Sequence, residues 1–405
     1  MAVRTYDEAR DLKAIERIWD ECGWLENAEQ AAGLKDFLSV GDCLTATIED
    51  EAECVVHTSP GAICYLEDTL EMCALTAVVT SRVARKKGFA QRLTAQQLAR
   101  GARDGAEIAV LGMFEQGFYD RLGFGTGSYE HQFVFDPTSL MVDVPVRSPQ
   151  RLDKEAWRDM HAAMMARMKG HGACVLYAPE LVKAEAGFSE NGFGLGYYDE
   201  GLLSHFFWVE SAGEFGPYRV TFIAYRTTDE LLELMGLLKS LGDQVSSVSM
   251  QEPPHLQLQD LLKHPFRHRR NTKASVHANE HRAVAYWQLR ALDVCVCVGK
   301  RSWHGPEVHF NLALTDPLGE VLEGDWQGVG GDYVVRVGVS SEARQGRDPG
   351  LPTLHAGVGA FTRMLFGIVS ASNLVVTDEF SGPASLLAQL DAAFLLPIAR
   401  TTWDF

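Results

Sequence analysis

The stretch from residue 75 to residue 125 constrains the fold of this chain more than any other part of the sequence. It begins with a β-rich apolar run, Leu75–Thr80, and continues with a basic, glycine-containing sequence, Arg85–Ala90, which opens a helix-like segment. A second strand-like run, Glu107–Met113, and an aromatic turn, Gly117–Phe124, complete it. This order predicts an α/β unit in which a basic loop leads into the helix.

The basic loop has the chemistry of a phosphate site. The first amide groups of a helix lack partners and carry the positive end of the helix dipole, which together attract anions. Gly88 has no Cβ to hold a ligand away, and Arg85, Lys86 and Lys87 place positive charge where a pyrophosphate would lie. A basic surface loop with an incidental glycine is the alternative for this motif alone, but the flanking strand and aromatic turn favour a ligand site.

The same residues carry a family resemblance. The run Val79–Ala90, with Phe118–Tyr119 and Gly123–Phe124, resembles the acetyl-CoA site of the GNAT N-acetyltransferases. The runs Tyr286–Val294 and Leu390–Phe405 and the full length are similar to the Eis (enhanced intracellular survival) acetyltransferases. The resemblance implies two GNAT-like domains in tandem and a C-terminal domain shaped like a sterol carrier protein. It also implies acetyl-CoA as co-substrate, aminoglycosides or other polyamines as acceptors, and a hexamer.

We therefore expect an α/β and α+β multidomain chain. At 405 residues it is too long for one ordinary core, and Pro137, Pro145 and Pro149 mark a boundary near residues 140–150. The run His131–Phe135 is predicted as the last strand of the first unit. The expected units are a catalytic GNAT domain at 1–145, a degenerate GNAT-like domain at 146–283 and a sterol-carrier-like domain at 284–405.

The middle unit repeats the strand–helix order without the phosphate chemistry. The run Tyr218–Thr227 predicts a strand and Asp229–Asp243 an amphipathic helix, but Tyr225–Thr228 stands where the first unit has its basic glycine loop. We expect this unit to be structural. In the third unit, Cys295 and Cys297 alternate within a strand-like run, so we expect them to share one buried face.

Tyr119 is the first candidate catalytic residue. Direct acetyl transfer leaves a coenzyme A thiolate that needs a proton. A phenol has a pKa of about 10 and a thiol of about 8.5, so this donation is uphill by about 2 kcal/mol, which the local environment can offset. Its position allows an equally good role as a core aromatic beside Phe118 and Phe124. The resemblance implies that Tyr119 is the proton donor.

Phe405 is the second candidate, since the resemblance implies that its α-carboxylate acts as general base. Chain ends are usually frayed, but the aromatic terminus Trp403–Phe405 favours docking. An α-carboxyl has a pKa of about 3.5 and an alkylammonium of about 10, a difference of roughly 9 kcal/mol. The carboxylate can take the proton only if its own pKa rises, the pKa of the amine falls, or water relays the proton.

The remaining candidates would bind the cofactor. Strand amides at 77–79 could hold the pantetheine arm and polarise the thioester carbonyl, and an ordinary buried strand would satisfy the same pattern. Residues 114 and 115 match family positions beside the cofactor. The predicted cofactor-binding residues are Ala77, Val78, Val79, Arg85, Lys86, Lys87, Gly88, Phe89, Ala90, Phe114 and Glu115.

The composition and charge of the chain indicate which classes of binding partner are favoured. The net charge of −17 disfavours nucleic acid and favours cationic or neutral ligands, although a well-solvated surface would explain it equally. We expect no membrane span, because no run of about 18 apolar residues is found, and a cytoplasmic location, because the N-terminus lacks an apolar signal core. The histidines at 264, 268, 277 and 281 have metal-like spacing, but Pro265 and many neighbouring cations favour a basic linker, so no metal is predicted.

The sequence thus predicts an enzyme that transfers an acetyl group from acetyl-CoA directly to a primary amine of a small cationic substrate. A non-catalytic module that has kept the fold and binds acetyl-CoA or lipid is the alternative. Intact Tyr119 and the terminal Phe405 favour the enzyme.

Overall fold

The computed structural model describes residues 2–25, 27–189, 191–265 and 277–402. These ranges contain twenty strands and eleven α-helices. The strands are β1 (Ala2–Thr5), β2 (Asp42–Ile48), β3 (Glu51–Tyr65), β4 (Asp68–Thr80), β5 (Ile108–Gly112), β6 (Gly125–Thr126), β7 (Glu130–Phe135), β8 (Gln150–Leu152), β9 (Cys174–Leu176), β10 (Gly192–Asp199), β11 (Leu202–Ser211), β12 (Tyr218–Ala224), β13 (Val248–Gln251), β14 (Glu280–Val284), β15 (Trp287–Ala291), β16 (Val308–Thr315), β17 (Gly331–Val337), β18 (Glu342–Gln345), β19 (Thr353–Gly357) and β20 (Phe380–Ser381). The helices are α1 (Glu8–Glu21), α2 (Ala28–Leu38), α3 (Phe89–Arg103), α4 (Gln116–Asp120), α5 (Trp157–Ala166), α6 (Glu180–Phe188), α7 (Thr228–Ser240), α8 (Val294–Gly299), α9 (Val358–Leu365), α10 (Ala371–Thr377) and α11 (Ala384–Ala393).

Helices cover both faces of the first sheet, whose strand order is β1-β2-β3-β4-β5-β15-β6, with β9 paired to β3. Ile15 and Ile18 of α1 pack on the face to which Val55 points. Leu93 of α3 packs on the opposite face, beside Val56. Because neighbouring residues of a strand point to opposite faces, β3 is buried on both sides.

Strands β4 and β5 separate before β4 ends. They pair in parallel only from Met72 with Ile108 to Leu75 with Leu111. Beyond Leu75, β4 runs on to Thr80, paired with β3 on one side. Half of the main-chain amides of a strand point to each side, so this part of β4 presents unpaired main-chain groups to the gap.

The sheets exchange strands across the boundaries that the sequence predicts. β7, predicted as the last strand of the first unit, pairs with β13 and β14 in the second sheet. β15, from the predicted third unit, pairs with β5 and β6 in the first sheet, and β9 pairs with β3. Proline-rich turns show where a strand can stop but not which sheet it joins, so the division at 145 and 283 stays a prediction about folding units.

The second sheet has the order β14-β7-β13-β12-β11-β10-β8, and the third has the order β18-β17-β16-β19-β20. Each contains one parallel pair, β12 with β13 and β16 with β19. The architecture is therefore mixed α/β with three sheets. In the described part of the chain, each helix is too short or too polar to cross a lipid bilayer.

The prediction for Cys295 and Cys297 is wrong. Both lie in helix α8, where Cys295 is exposed and Cys297 is buried. Asp293 caps this helix, since its side chain accepts a hydrogen bond from the amide of Val296 at 2.9 Å. A short apolar run of β-branched residues has no periodicity that separates a strand from a helix, and here the cap decides.

Candidate active site

A cavity of about 820 Å³ opens where β4 leaves β5, beside the start of α3. Nine of the eleven predicted cofactor residues line it: Val78, Val79, Arg85, Lys86, Lys87, Gly88, Phe89, Ala90 and Phe114. Ala77, Glu115 and Tyr119 are outside this lining. The two halves of the predicted site, the strand edge and the basic loop, therefore face the same space.

The start of α3 is left uncapped by the protein's own side chains. Gly88 is the N-cap residue with φ +76°, no side chain of the described residues bonds to the amides of the first turn, and that turn contains no acidic residue. A Cβ at Gly88 would meet no atom within 4 Å, so it would project into open space. The left-handed backbone favours glycine, and the first amides of the helix remain available to an anion.

Three cations stand beside these amides. Arg85, Lys86 and Lys87 are exposed, and within the described residues none of them pairs with a carboxylate. Glu21 also lines the cavity, but its carboxylate accepts a hydrogen bond from the amide of Arg82 at 2.7 Å. The loop thus has uncompensated positive charge next to a helix N-terminus, which fits a pyrophosphate group.

On the strand side, main chain rather than side chains is available to a ligand. Ala77 and Val79 are 5% and 4% exposed, so their side chains are committed to the core, while Val78 is half-buried. Amide groups on the free edge of β4 are fixed by the sheet. Such preorganised donors suit the polar groups of an extended pantetheine arm and a thioester carbonyl.

Tyr119 lies in α4, behind the wall of the cavity. It is 2% exposed, and its ring packs edge-on against Phe118 at 4.9 Å and Phe114 at 5.8 Å, both of which line the cavity. Burial raises the pKa of the Tyr119 phenol well above its ordinary value of about 10. The hydroxyl is therefore protonated at neutral pH, as a proton donor must be. Among the described residues it has no hydrogen-bond partner.

Phe114 and Glu115 separate in the structure. Phe114 is 71% exposed at the cavity and tilts over Phe118 at 6.0 Å. Glu115 is the N-cap residue of α4, and its side chain makes no capping bond to that helix. Only Phe114 of this predicted pair lines the cavity.

Several further residues line the cavity. The end of α1 reaches it with Glu21, Cys22 and Trp24, and the ring of Trp24 packs edge-on against Trp19 at 5.1 Å. No local motif signals Glu21 or Cys22, because they lie more than fifty positions before the loop. The other lining residues outside the predicted set are Thr80, Ala84, Gln91, Phe118 and Arg121.

Phe405 lies outside the described residues, but the segment before it is held between the first and second sheets. The guanidinium of Arg167 donates to the carbonyl of Thr402 at 3.2 Å and also to its hydroxyl. The hydroxyl of Thr401 donates to Glu130 at 3.1 Å. Glu130 in turn accepts from the amide of Tyr286.

This segment reaches the region where β4 and β5 separate. The carbonyl of Tyr286 accepts a hydrogen bond from the amide of Met113 at 2.6 Å, directly after β5 ends. Thr401 is therefore linked to the end of β5 through two residues, Glu130 and Tyr286.

Among the described histidines of the predicted linker, His277 and His281 do not share a helix face. His277 bonds to Ser247, and His281 lies in β14 and stacks on Phe133. His268 falls outside the described residues. Elsewhere in the described ranges, Asp199, His205 and Glu230 bring possible ligand atoms within 4.8 Å of one another, but the guanidinium of Arg226 lies against both carboxylates. A fixed cation at that position opposes a metal ion.

Comparison with known proteins agrees with this geometry. Residues 3–127 match the family model of the acetyltransferase (GNAT) domain. No curated protein matches the sequence. The whole chain is similar in structure to a protein of Enterococcus faecalis V583 described as a probable N-acyltransferase, at 15% identity and a TM-score of 0.78, covering 100% of this chain and 99% of that one.

Two further solved structures share the fold along the whole chain. The GCN5-related N-acetyltransferase of Kribbella flavida is 18% identical with a TM-score of 0.74, covering 100% of this chain and 98% of that one. Eis1 of Mycobacterium abscessus is 15% identical with a TM-score of 0.76, and both chains are covered completely. Residues 3–127 thus match the acetyltransferase (GNAT) domain, in a chain that shares its fold along the whole length with Eis1 and the Kribbella flavida protein.

Proposed function

We propose that this chain transfers the acetyl group of acetyl-CoA directly to a primary amine of a small cationic substrate, similar to an aminoglycoside or a polyamine. The observation that carries the proposal is the cavity in which the uncapped N-terminus of α3, the free edge of β4 and three cations meet, and these cations pair with no carboxylate among the described residues. A diphosphate and an extended amide-containing arm are the ligand groups that match those two surfaces.

Each part of the site has a role in this reaction. The loop at 85–88 binds the pyrophosphate, and the edge of β4 holds the pantetheine arm and polarises the thioester carbonyl. The amine nitrogen attacks the carbonyl carbon, the carbon–sulfur bond breaks, and Tyr119 gives its proton to the departing sulfur. The α-carboxylate of Phe405 takes the proton that the nitrogen loses.

The buried position of Tyr119 is compatible with this step. Its apolar surroundings raise the pKa of the phenol, which by itself makes the proton harder to give. A thiolate formed beside the same aromatic rings is destabilised for the same reason. Both groups therefore favour their neutral forms there, and transfer of the proton to sulfur removes a poorly solvated charge.

A cationic acceptor is supported by charge and by resemblance. The net charge of −17 favours the approach of a cationic substrate over an anionic one. Resemblance to Eis-like enzymes adds the class of acceptor. The same resemblance supports two further proposals: a hexamer and a sterol-carrier-like fold for residues 284–405. A cytoplasmic location also stays a proposal. Light scattering of the purified chain tests the assembly.

The first experiment measures release of the coenzyme A thiol with a panel of aminoglycosides and polyamines. We expect Tyr119→Phe to lower kcat by roughly 100-fold or more while acetyl-CoA still binds, because only the proton donor is lost. Tyr225→Phe is the matched control, since Tyr225 is another buried tyrosine, in the second sheet region, whose hydroxyl has no partner in the described chain. Binding of acetyl-CoA without thiol release by the wild type would instead favour the non-catalytic module.

The second experiment tests Phe405. Deleting this residue, or extending the chain by one glycine, displaces the α-carboxylate, and we expect kcat to fall by roughly 100-fold with unchanged acetyl-CoA affinity. A Phe405→Leu variant keeps the carboxylate and serves as control. Unchanged turnover after deletion would exclude the carboxylate as the base and leave the rest of the proposal standing.

A further inference from the structure

Thr76 interrupts the pairing of β4 at the place where the cavity begins. Residues His57 and Ala77 oppose each other across the β3–β4 hairpin, and the next opposed pair is Thr58 with Leu75. Thr76 is therefore an extra residue, a β-bulge, between two regular stretches. Pairing with β5 also ends at Leu75, so the bulge marks the last point at which β4 is held on both sides.

The hydroxyl of Thr76 bonds to the imidazole of His57. Thr76 Oγ1 lies 2.6 Å from His57 Nδ1, and His57 Nε2 lies 2.6 Å from the carbonyl oxygen of Val40. A carbonyl can only accept, so Nε2 carries the proton and donates to Val40. Nδ1 of the neutral ring then has no proton, and it accepts the hydrogen bond that the Thr76 hydroxyl donates.

The ring of His57 is fixed in this orientation. Its side chain is fully buried, and Phe37 packs against it with ring centroids 4.4 Å apart. Gly41 has φ +78°, and a Cβ there would lie 2.2 Å from the carbonyl oxygen of Thr58 and 3.0 Å from the imidazole. The loop that carries Val40 therefore packs on His57 as closely as a glycine permits. Burial also lowers the pKa of His57 to about 4, which keeps the ring neutral.

We infer that His57 is a positioning residue for acetyl transfer, which acts by holding the Thr76 bulge so that the β4 amides beyond it face the thioester. A sheet fixes strand amides by pairing them, but at Thr76 the partner on β3 is missing and β5 has already separated. The bond from Thr76 to His57 replaces that lost restraint. This inference rests on the proposed function, because it assigns those amides to the acetyl group.

The test compares Thr76→Val with Thr76→Ser in the full-length protein. Valine keeps the shape but removes the hydroxyl, and serine keeps the hydroxyl. We expect Thr76→Val to lower kcat roughly 10-fold or more, and Thr76→Ser to stay within about 3-fold of the wild type. Thr45→Val is the control for a buried hydroxyl in the same sheet, since Thr45 lies in β2 and donates to the carbonyl of Arg4. It should leave kcat unchanged.

Binding supplies a readout that needs no turnover. Coenzyme A and acetyl-CoA differ only by the acetyl group, so their affinities report on that group alone. We expect Thr76→Val to bind coenzyme A as the wild type does, and to bind acetyl-CoA roughly 5-fold to 10-fold more weakly. Equal losses for both ligands would overturn the inference.

The outcomes separate the inference from the proposed function. Failure of the wild type to release thiol with any amine would refute the proposed function. The ratio of the affinities for coenzyme A and acetyl-CoA would then still test the role of Thr76. A wild type that turns over, with Thr76→Val equally active, would refute the inference alone. A purely structural role would lower the unfolding midpoint of Thr76→Val and leave both kcat and the affinity ratio unchanged at temperatures well below it.

Discussion

The chain contains two strand–helix junctions of the same order, and they treat the helix N-terminus in opposite ways. At the first, β4 leads to α3, whose N-cap residue is Gly88 and whose first turn receives no hydrogen bond from a side chain in the described part of the protein. At the second, β12 leads to α7, whose N-cap residue Thr227 accepts a hydrogen bond from the amide of Glu230 at 3.2 Å. The carboxylate of Glu230 also accepts from the amide of Arg226 and pairs with its guanidinium.

The difference lies in which group satisfies the helix amides. The second junction resembles a capping box: its hydroxyl accepts from a helix amide, its carboxylate accepts from an amide just before the helix, and negative charge lies at the positive end of the helix. The first junction leaves the donors to an external anion and adds cations instead. The strand–helix order is therefore not enough for phosphate binding, and a vacant N-cap is required as well.

Giving the first junction a side-chain cap, as the second junction has, should have the largest effect, and that effect is on acetyl-CoA binding. Aspartate at position 88 would cap α3 with its own carboxylate, and Asp tolerates a left-handed backbone better than most residues. We expect Gly88→Asp to weaken acetyl-CoA binding at least about 100-fold, or about 3 kcal/mol, since the cap occupies the amides and repels the pyrophosphate. Isothermal titration calorimetry measures the loss.

Gly105 provides the matched control. It follows the other end of α3, has φ +96°, and a Cβ there would also meet no atom within 4 Å. Gly105→Asp introduces the same charge at a similar backbone conformation far from the loop. Equal losses of acetyl-CoA affinity in the two variants would show that the vacant cap at Gly88 is not what binds the cofactor.

The second prediction compares two buried histidines, one in each region, by how much stability each costs the protein as the pH falls. Burial lowers the pKa of His57 to about 4 from an unfolded value of about 6.5, so the unfolded state binds more protons between these values. The contribution of His57 to stability is complete above about pH 6.5 and is lost as the pH falls toward 4, by about 2 kcal/mol between pH 7 and pH 5. His205 is also buried with a lowered pKa, but Glu230 and Glu233 oppose that shift.

Urea unfolding at pH 7 and pH 5 measures this effect. We expect His57→Gln to remove about 2 kcal/mol of the acid-induced loss, and His205→Gln to remove less. Other groups titrate in the same range, so the comparison between each variant and the wild type is what counts. A loss of stability that is the same in wild type and His57→Gln would contradict the prediction.

The smallest expected effect is a loss of stability when the cap of the second junction is removed. Thr227→Ala removes the hydroxyl cap of α7 and should lower the free energy of unfolding by about 1 kcal/mol. Acetyl-CoA affinity should not change. The adjacent Thr228→Ala is the control, because Thr228 is exposed and caps nothing. A change in acetyl-CoA affinity upon Thr227→Ala would mean that the two junctions are not independent.

The residues of the site that can be predicted from the sequence are those that lie close together along the chain. The stretch from β4 through α3 and β5 to α4 has its own strand, cap and helix signals, and α3 begins at Phe89, as the basic loop indicates. Nine predicted residues line one cavity because they belong to this one stretch of the chain. The predicted roles of Tyr119 and Phe405 depend on chemistry and stay predictions.

The rest depends on pairing that no local pattern encodes. The bulge at Thr76 is a property of the register between β3 and β4, which depends on how the two strands pair. In the sequence, His57 is one of several histidines and lies in an apolar, strand-like run, so nothing singles it out. The placement of Trp24 at the cavity and of β15 between β5 and β6 depends on residues far apart in the chain.

The insertion of β15 sets the order in which the molecule can be completed. Among the described strands, β6 pairs with β15 alone, and the outer edge of β5 stays open until Trp287–Ala291 is made. A ribosome that has already made the basic loop, α3 and Tyr119 must therefore synthesise the entire second sheet before the first one can close. The growing polypeptide exposes a bare strand edge during that interval, and an arrested product ending before residue 287 would contain all eleven proposed cofactor-binding residues yet lack the strand that pairs with the outer edge of β5.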